Sequence, residues 1–164
     1  MRRKIFTAFE QAENETDPLR RKQLLTFVII GGGPTGVELA GALADLAFKT
    51  LDGHFHNINT KKECEIYLIE ALPQVLPTFD KKLSEITKKY LERMGIKVLT
   101  DSRVTEITSD TVAFEKNKER QVMNKATPGV RVRHLLGGKS CLGKADAQVD
   151  RVGSLLKKIF HSEL

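Results

Sequence analysis

The stretch Thr26-Phe-Val-Ile-Ile-Gly-Gly-Gly-Pro-Thr-Gly-Val-Glu-Leu-Ala-Gly-Ala-Leu43 decides the fold of this chain. Its apolar run at residues 27–30 predicts a buried β-strand, and the small residues after the glycines predict a closely packed helix. Gly31, Gly33 and Gly36 form a G-x-G-x-x-G pattern between the two elements. In such a pattern the first glycine permits the turn, the second lets the main chain approach a phosphate, and the third lets the helix lie against the strand. The stretch therefore predicts a turn that holds the pyrophosphate of a dinucleotide.

The start of the predicted helix adds to this reading. Pro34 suits the first helical turn, where the backbone N–H groups have no partners within the helix and attract an anion. Glycine turns also join strands to helices in proteins that bind no nucleotide, but here the flanking strand, the small-residue helix and a second strand ending in an acid all fit the same unit. We predict that the nucleotide contacts Gly31, Gly32, Gly33, Pro34, Thr35 and Gly36.

Glu70 is the acidic residue of the predicted site. It ends the run Glu65-Ile-Tyr-Leu-Ile-Glu70, where its carboxylate could accept hydrogen bonds from the adenosine ribose hydroxyls. A ribose 2'-phosphate would meet a like charge there, and residues 71–79 contain no arginine to offset it, so the site favours NADH over NADPH. The acid follows the glycines at more than the usual distance of about twenty residues, because residues 49–63 extend the helix or form a loop. A solvated strand end is the alternative reading of Glu70.

The remaining periodicity predicts an α/β fold, a Rossmann-like three-layer domain with a small parallel sheet and an antiparallel hairpin. Asp80 is a candidate helix cap, and Gly95 suits a left-handed helix exit. The predicted order is a strand near 26–31, a helix near 34–50, a strand near 65–70, a helix near 80–94, a strand near 96–99 and a hairpin of 104–108 with 111–114.

Three regions follow from composition and patterning. Residues 1–25 hold apolar side chains at helical spacing, residues 26–115 form the nucleotide-binding domain, and residues 116–164 form a divergent basic tail. The tail holds 11 Lys and Arg against 4 Asp and Glu, whereas residues 1–115 hold 16 against 17. The tail has one aromatic residue and no recognition motif, so we expect no nucleic-acid partner. Its amphipathic end, residues 154–162, is better explained as a surface helix than as a membrane contact.

Cysteine and histidine usage points away from a dithiol or metal enzyme. Cys64 and Cys141 are single and distant in sequence, so we expect them to be unpaired. His54 and His56 lie two residues apart in a polar segment without further ligands at metal spacing, so we assign no metal. No apolar run approaches the length of a membrane span, and no signal peptide opens the chain, which predicts a cytoplasmic location.

The wording of several segments resembles one family, the type II NADH:quinone oxidoreductases. The resemblance rests on Gly-Gly-Gly-Pro-Thr-Gly-Val-Glu-Leu-Ala-Gly-Ala at residues 31–42, and on Leu-Pro-Gln-Val-Leu-Pro-Thr-Phe-Asp at residues 72–80. Ala-Phe-Glu-Gln-Ala-Glu at residues 8–13 and the long segment before Glu65 are also similar to that family. The resemblance covers residues 2 to about 115 and weakens in the tail.

That resemblance implies a flavoprotein that passes a hydride from NADH to FAD and then electrons to a membrane quinone. It places Glu38 near the meeting point of nicotinamide and flavin, as a candidate catalytic residue that orients groups or handles a proton. An ordinary acid near the start of a helix is the alternative for Glu38. The resemblance also implies that residues 1–25 lead in from an FAD domain whose site this chain lacks.

We therefore expect the chain to be a fragment that is inactive alone, from a protein with at most peripheral contact to the cytoplasmic face of the inner membrane. Two alternatives stay open at this point: a truncated, non-catalytic NADH-binding module, and the NAD domain of another flavoprotein reductase. Bound flavin and quinone reductase activity would separate the first alternative from an enzyme.

Overall fold

The computed structural model describes residues 2–124. Three parallel strands form its first sheet, in the order β1 (Thr26–Ile30), β2 (Glu65–Ile69) and β3 (Ile96–Leu99). The strands are in register across the sheet, with Ile30 opposite Ile69 and Ile69 opposite Leu99. The carboxyl ends of all three strands therefore meet at one edge, where binding sites of parallel sheets are found.

Helices cover one face of this sheet. The helices are α1 (Arg2–Asn14), α2 (Pro18–Leu24), α3 (Pro34–Asp45), α4 (Thr60–Glu63) and α5 (Lys81–Arg93). A π-helical turn, Leu46–Thr50, continues α3 and leads into the loop before α4. At α5 the Asp80 side chain accepts a hydrogen bond from the Lys82 N–H at 3.1 Å, and Gly95 leaves the helix with φ +87°. The predicted cap and left-handed exit are thus both confirmed.

An antiparallel sheet covers the other face. Its strands are β4 (Ser102–Ile107), β5 (Thr111–Lys116) and β6 (Glu119–Asn124), in that order, with a bulge in β4 between Val104 and Glu106. The predicted hairpin is present, but it is two strands of a three-stranded meander. Strand β6 lies within residues 116–164, the predicted tail, and was not expected from the sequence. Residues 125–164, with Cys141 and the amphipathic segment 154–162, lie outside the described residues.

Side-chain alternation explains this three-layer arrangement. Phe27 and Ile29 of β1 point into the core shared with the helices, whereas Val28 packs with Val112 and Phe114 of the meander. A strand sends successive side chains to opposite faces, so an unbroken apolar run such as residues 27–30 needs cover on both sides. The predicted Rossmann-like α/β fold is confirmed.

The two N-terminal helices pack on the same core. Ile5, Ala8, Phe9 and Ala12 of α1 are buried in the cluster that includes the strands. The Phe9 ring stacks on Phe27 at a centroid distance of 5.5 Å. At the end of α1 the Glu13 carboxylate accepts the backbone N–H groups of residues 56 and 57, at 2.8 and 3.1 Å. The region predicted as a lead-in segment therefore closes the helical layer of the domain.

Candidate functional site

The glycine turn connects the end of β1 to the start of α3. Gly31 has φ +102°, a conformation that side chains rarely allow, and its N–H donates to the Ile69 carbonyl at 2.8 Å. A Cβ placed on Gly36 would stand 1.8 Å from the Gly31 carbonyl oxygen. The helix thus approaches the strand so closely that position 36 admits only glycine.

Gly33 has the opposite surroundings. A Cβ placed there would meet no protein atom within 4 Å, and the φ of −72° is one that any residue adopts. Gly33 is also the N-cap of α3, so no side chain caps the first turn of that helix. The first turn leaves backbone N–H groups without helical partners beside this open space, which suits an anion.

Glu70 follows β2 at the same edge and contacts the glycine turn. Its Oε2 accepts a hydrogen bond from the Gly32 N–H at 2.5 Å, and its Oε1 accepts one from the Leu72 N–H at 2.9 Å. A carboxylate has about four acceptor positions, so these two N–H donors leave capacity for further hydroxyl donors. The structure therefore brings the predicted acid and the predicted glycine turn together, despite their long separation in sequence.

The segment after Glu70 supports the turn from a second side. The Leu76 N–H donates to the Gly32 carbonyl at 2.7 Å, and the Leu76 side chain is buried in the core. Leu76 has φ +50°, a conformation that costs a non-glycine residue about 1–3 kcal/mol. Sequence reasoning missed this contact because leucine carries no signal for a left-handed backbone. The segment 70–79 thus binds both the N–H and the carbonyl of Gly32.

Glu38 lies about one turn into α3. Its Oε1 is buried and has no hydrogen-bond partner among the described residues. Leaving a carboxylate oxygen in this state costs free energy, which a donor from a bound group or another part of a protein would recover. The position near the start of α3 is consistent with the role that the family resemblance implies, and the role itself stays a prediction.

The opposite edge of the parallel sheet carries a closed charge network. Lys97 Nζ lies 2.9 Å from Glu65 Oε1 and 3.1 Å from the Tyr67 hydroxyl, which in turn donates to Glu65 Oε2 at 3.0 Å. Lys97 also stands 4.9 Å above the Tyr67 ring. Burial alone would raise the pKa of Glu65, but hydrogen bonds from Lys97 and Tyr67 outweigh it and lower that pKa. These groups satisfy one another and present no reactive side chain.

The other candidate residues do not form sites in the described part of the chain. Cys64 is a buried free thiol, and burial raises its pKa to about 12, so it is a poor nucleophile. His54 and His56 are exposed in the loop before α4. Among residues 2–124, no group of three His, Cys, Asp or Glu side chains could hold a metal ion.

The parallel strands, with the glycine turn and its contacting acid at their carboxyl ends, define a Rossmann-type α/β domain. The comparison with protein families agrees with this class. The chain belongs to the pyridine nucleotide-disulphide oxidoreductase family, whose model matches residues 3–136.

Similar proteins narrow the relationship. The type II NADH:quinone oxidoreductase Ndh of Mycobacterium tuberculosis is 35% identical over 158 residues, which cover 93% of this chain and 34% of that protein. The external alternative NADH-ubiquinone oxidoreductase of Yarrowia lipolytica mitochondria is 38% identical over 118 residues, covering 72% and 20%. The resemblance to type II NADH:quinone oxidoreductases is confirmed, and the chain spans about a third or less of the length of these relatives.

A solved structure shows the same relationship. The structure of NDH2 from Plasmodium falciparum in complex with NADH superposes with a TM-score of 0.71 at 26% identity, covering 76% of this chain and 26% of that one. The complex of the same enzyme with RYL-552 gives a TM-score of 0.72.

Within residues 2–124 of the present chain, none of the helices has the length and apolarity needed to cross a bilayer.

Proposed function

We propose that this chain is the NADH-binding domain of an FAD-dependent NADH:quinone oxidoreductase. The observation that carries the proposal is the contrast inside the glycine turn. Position 36 has no room for a side chain, whereas position 33 opens onto empty space at the uncapped start of α3. A turn packed tightly against its own protein on one side and open on the other suits a ligand that approaches the main chain closely.

The diphosphate of NADH occupies the space beside Gly33 in this proposal. The backbone N–H groups at the start of α3 donate to its oxygens, and the helix dipole adds to their attraction. Gly31, Gly32, Pro34, Thr35 and Gly36 shape this cradle. The solved relative named above is a complex with NADH, which supports the choice of ligand.

Glu70 binds the adenosine ribose. Its carboxylate is held by the backbone N–H groups of Gly32 and Leu72, and its remaining acceptor positions receive the ribose hydroxyls. A 2'-phosphate would add a second negative charge at this carboxylate, which disfavours NADPH. The domain therefore selects NADH.

Glu38 faces the nicotinamide and flavin side of the site. Its buried, unpartnered Oε1 accepts a hydrogen bond once the neighbouring groups are in place, and so orients them or holds a proton. A bound flavin supplies the hydride acceptor and passes electrons on to quinone. We assign the one described glycine turn to NADH and place FAD in the remainder of the intact protein. The names of the relatives support this activity.

Calorimetric titration of the full chain with NADH and NADPH tests the binding step. We expect NADH to bind at least about tenfold more tightly, since each 1.4 kcal/mol of discrimination is a factor of ten. A sample that melts cooperatively and yields no binding heat with either nucleotide would refute the proposal.

Flavin separates the enzyme from the binding-only alternative. A yellow preparation with NADH:quinone reductase activity supports the complete reaction in this chain. A colourless preparation that binds NADH supports a domain that acts only with the rest of the protein. The cytoplasmic location and the peripheral membrane contact stay predictions, which fractionation of cells that produce the intact protein can test.

A further inference from the structure

Gly32 stands between the first two glycines of the pattern, at a position where the pattern itself requires no glycine. Its surroundings nevertheless leave little room. A Cβ placed on Gly32 would stand 3.1 Å from the Glu70 Cβ, 3.2 Å from its Cγ and 3.2 Å from its Oε2. The same residue donates its N–H to that Oε2. The short contact between turn and carboxylate therefore depends on the missing side chain at position 32.

The backbone at Gly32 has little freedom to move aside. Its carbonyl accepts the Leu76 N–H at 2.7 Å, and Leu76 is 1% exposed, so this anchor belongs to the packed core. The neighbouring Gly31 N–H is tied to the Ile69 carbonyl in the sheet. A side chain added at position 32 would therefore clash with Glu70. Displacement of Glu70 relieves this clash, because its carboxylate is only partly buried.

We propose that Gly32 is a positioning residue that sets the preference for NADH over NADPH by letting Glu70 dock on its backbone N–H. This inference rests on the function proposed above. A docked carboxylate is fixed toward the ribose 2'-position, where it accepts the hydroxyl of NADH and repels the phosphate of NADPH. A displaced carboxylate loses both effects, because neither the hydrogen bond nor the repulsion has a fixed geometry.

A double-mutant cycle tests the inference. NADH and NADPH are titrated into the full chain and into its Gly32→Ala, Glu70→Gln and doubly substituted forms. We expect Gly32→Ala to weaken NADH binding about tenfold, consistent with one lost hydrogen bond to a charged group, and to strengthen NADPH binding, because the displaced Glu70 carboxylate repels the 2'-phosphate less. In the Glu70→Gln background the same substitution should have little further effect, since it acts through that carboxylate.

Gly33→Ala is the matched control, because its added Cβ meets no protein atom and should weaken both nucleotides alike. An unchanged NADH-to-NADPH ratio in Gly32→Ala overturns the inference, and so does an undiminished effect in the Glu70→Gln background. If the native chain binds neither nucleotide, the proposed function fails and this inference with it. If the native chain binds NADH and Gly32→Ala does not change the NADH-to-NADPH affinity ratio, this inference fails and the proposed function stands.

Amide hydrogen exchange covers the case in which Gly32→Ala does not melt cooperatively. The Gly32 N–H should be protected in the native chain and should lose protection in Glu70→Gln, where the charge-assisted hydrogen bond is weakened. Equal protection in the two proteins overturns the inference.

Discussion

Strand β2 begins at one glutamate and is followed by another, and the two carboxylates have different kinds of partners. Glu65 opens the strand and is neutralised by Lys97 and Tyr67, with Lys22 Nζ at 3.9 Å. Glu70 follows the strand, and within residues 2–124 its carboxylate is held by the backbone N–H groups of Gly32 and Leu72. The Glu65 carboxylate is thus paired with a cation of the protein. The Glu70 carboxylate accepts two backbone N–H groups and has acceptor positions left for a ligand. The same strand thus has a structural end and an end prepared for a ligand.

The same division applies to the glycines and to α3. Gly36 is enclosed by protein and Gly33 is open, and Glu38 keeps a buried oxygen without a partner among the described residues. An open position in the main chain beside a buried oxygen without a partner indicates where a ligand could bind, because a folded protein usually pairs its buried polar atoms. Four substitutions and one pH series test this contrast.

Gly36→Ala should have the largest effect. The added Cβ would stand 1.8 Å from a backbone oxygen that cannot rotate away, so helix and strand must separate. We expect the free energy of unfolding to fall by roughly 3 kcal/mol, at the upper end for overpacking, together with loss of NADH binding. Thermal unfolding and calorimetry measure the two effects. A variant with native melting would contradict the close approach of α3 to β1.

Gly33→Ala should separate binding from folding. Because its Cβ meets no protein atom, we expect unchanged melting, while the methyl group occupies the space of the diphosphate. Affinity for NADH should fall at least about tenfold, consistent with the loss of close backbone contacts to an anion. The same two measurements apply. Native affinity in this variant would place the nucleotide elsewhere.

Lys97→Met should affect the structural end alone. Lys97 is half exposed, so solvent screening limits the expected loss to about 0.5–1 kcal/mol. Denaturant unfolding gives that value, and NADH affinity should match the native chain. A change of affinity would show that the two ends of β2 are coupled, which the contrast between Glu65 and Glu70 does not predict.

The pH dependence of stability should follow from the same network. Since the pKa of Glu65 is lowered in the folded state, its contribution is fully present above the unfolded pKa of about 4.3 and is lost as the pH falls through the folded value. The native chain should therefore lose more stability than Lys97→Met between about pH 5 and pH 3. The free energy of unfolding of both proteins is measured across that range. Equal losses in the two proteins would contradict this assignment.

Glu38→Gln should have the smallest effect on the isolated chain. It removes the charge from a buried carboxylate whose Oε1 has no partner among the described residues, so we expect a slight gain in stability, on the order of 0.5 kcal/mol. A thermal melt detects the gain. A clear loss of stability would mean that Glu38 already serves a structural role, as an ordinary helix acid would.

The sequence predicted the features that local chemistry determines. The turn at Gly31 to Gly36, the Asp80 cap and the Gly95 exit each depend on a few adjacent residues, so they can be read directly from the chain. The partnership of Glu70 with the turn was accessible because the end of one parallel strand lies beside the end of its neighbour. The predicted contacts of the nucleotide itself stay predictions.

The features that sequence reasoning missed depend on distant contacts. Leu76 adopts a left-handed backbone only because the core buries its side chain and Gly32 accepts its N–H. Strand β6 lacks regular alternation, and its one signal is the turn at Asn117 and Lys118, where both φ angles are positive as in a type I′ hairpin. That two-residue turn could have revealed the third strand of the meander.

Amide chemical shifts recorded during an NADH titration show where the nucleotide binds, because they report both ends of the parallel strands in one experiment. We predict the largest shifts at Gly33 and Gly36, a smaller one at Gly32, and none at Glu65, Tyr67 and Lys97. Shifts centred on the Glu65 end, or a saturating titration that leaves the amides of the glycine turn unmoved, would contradict the account.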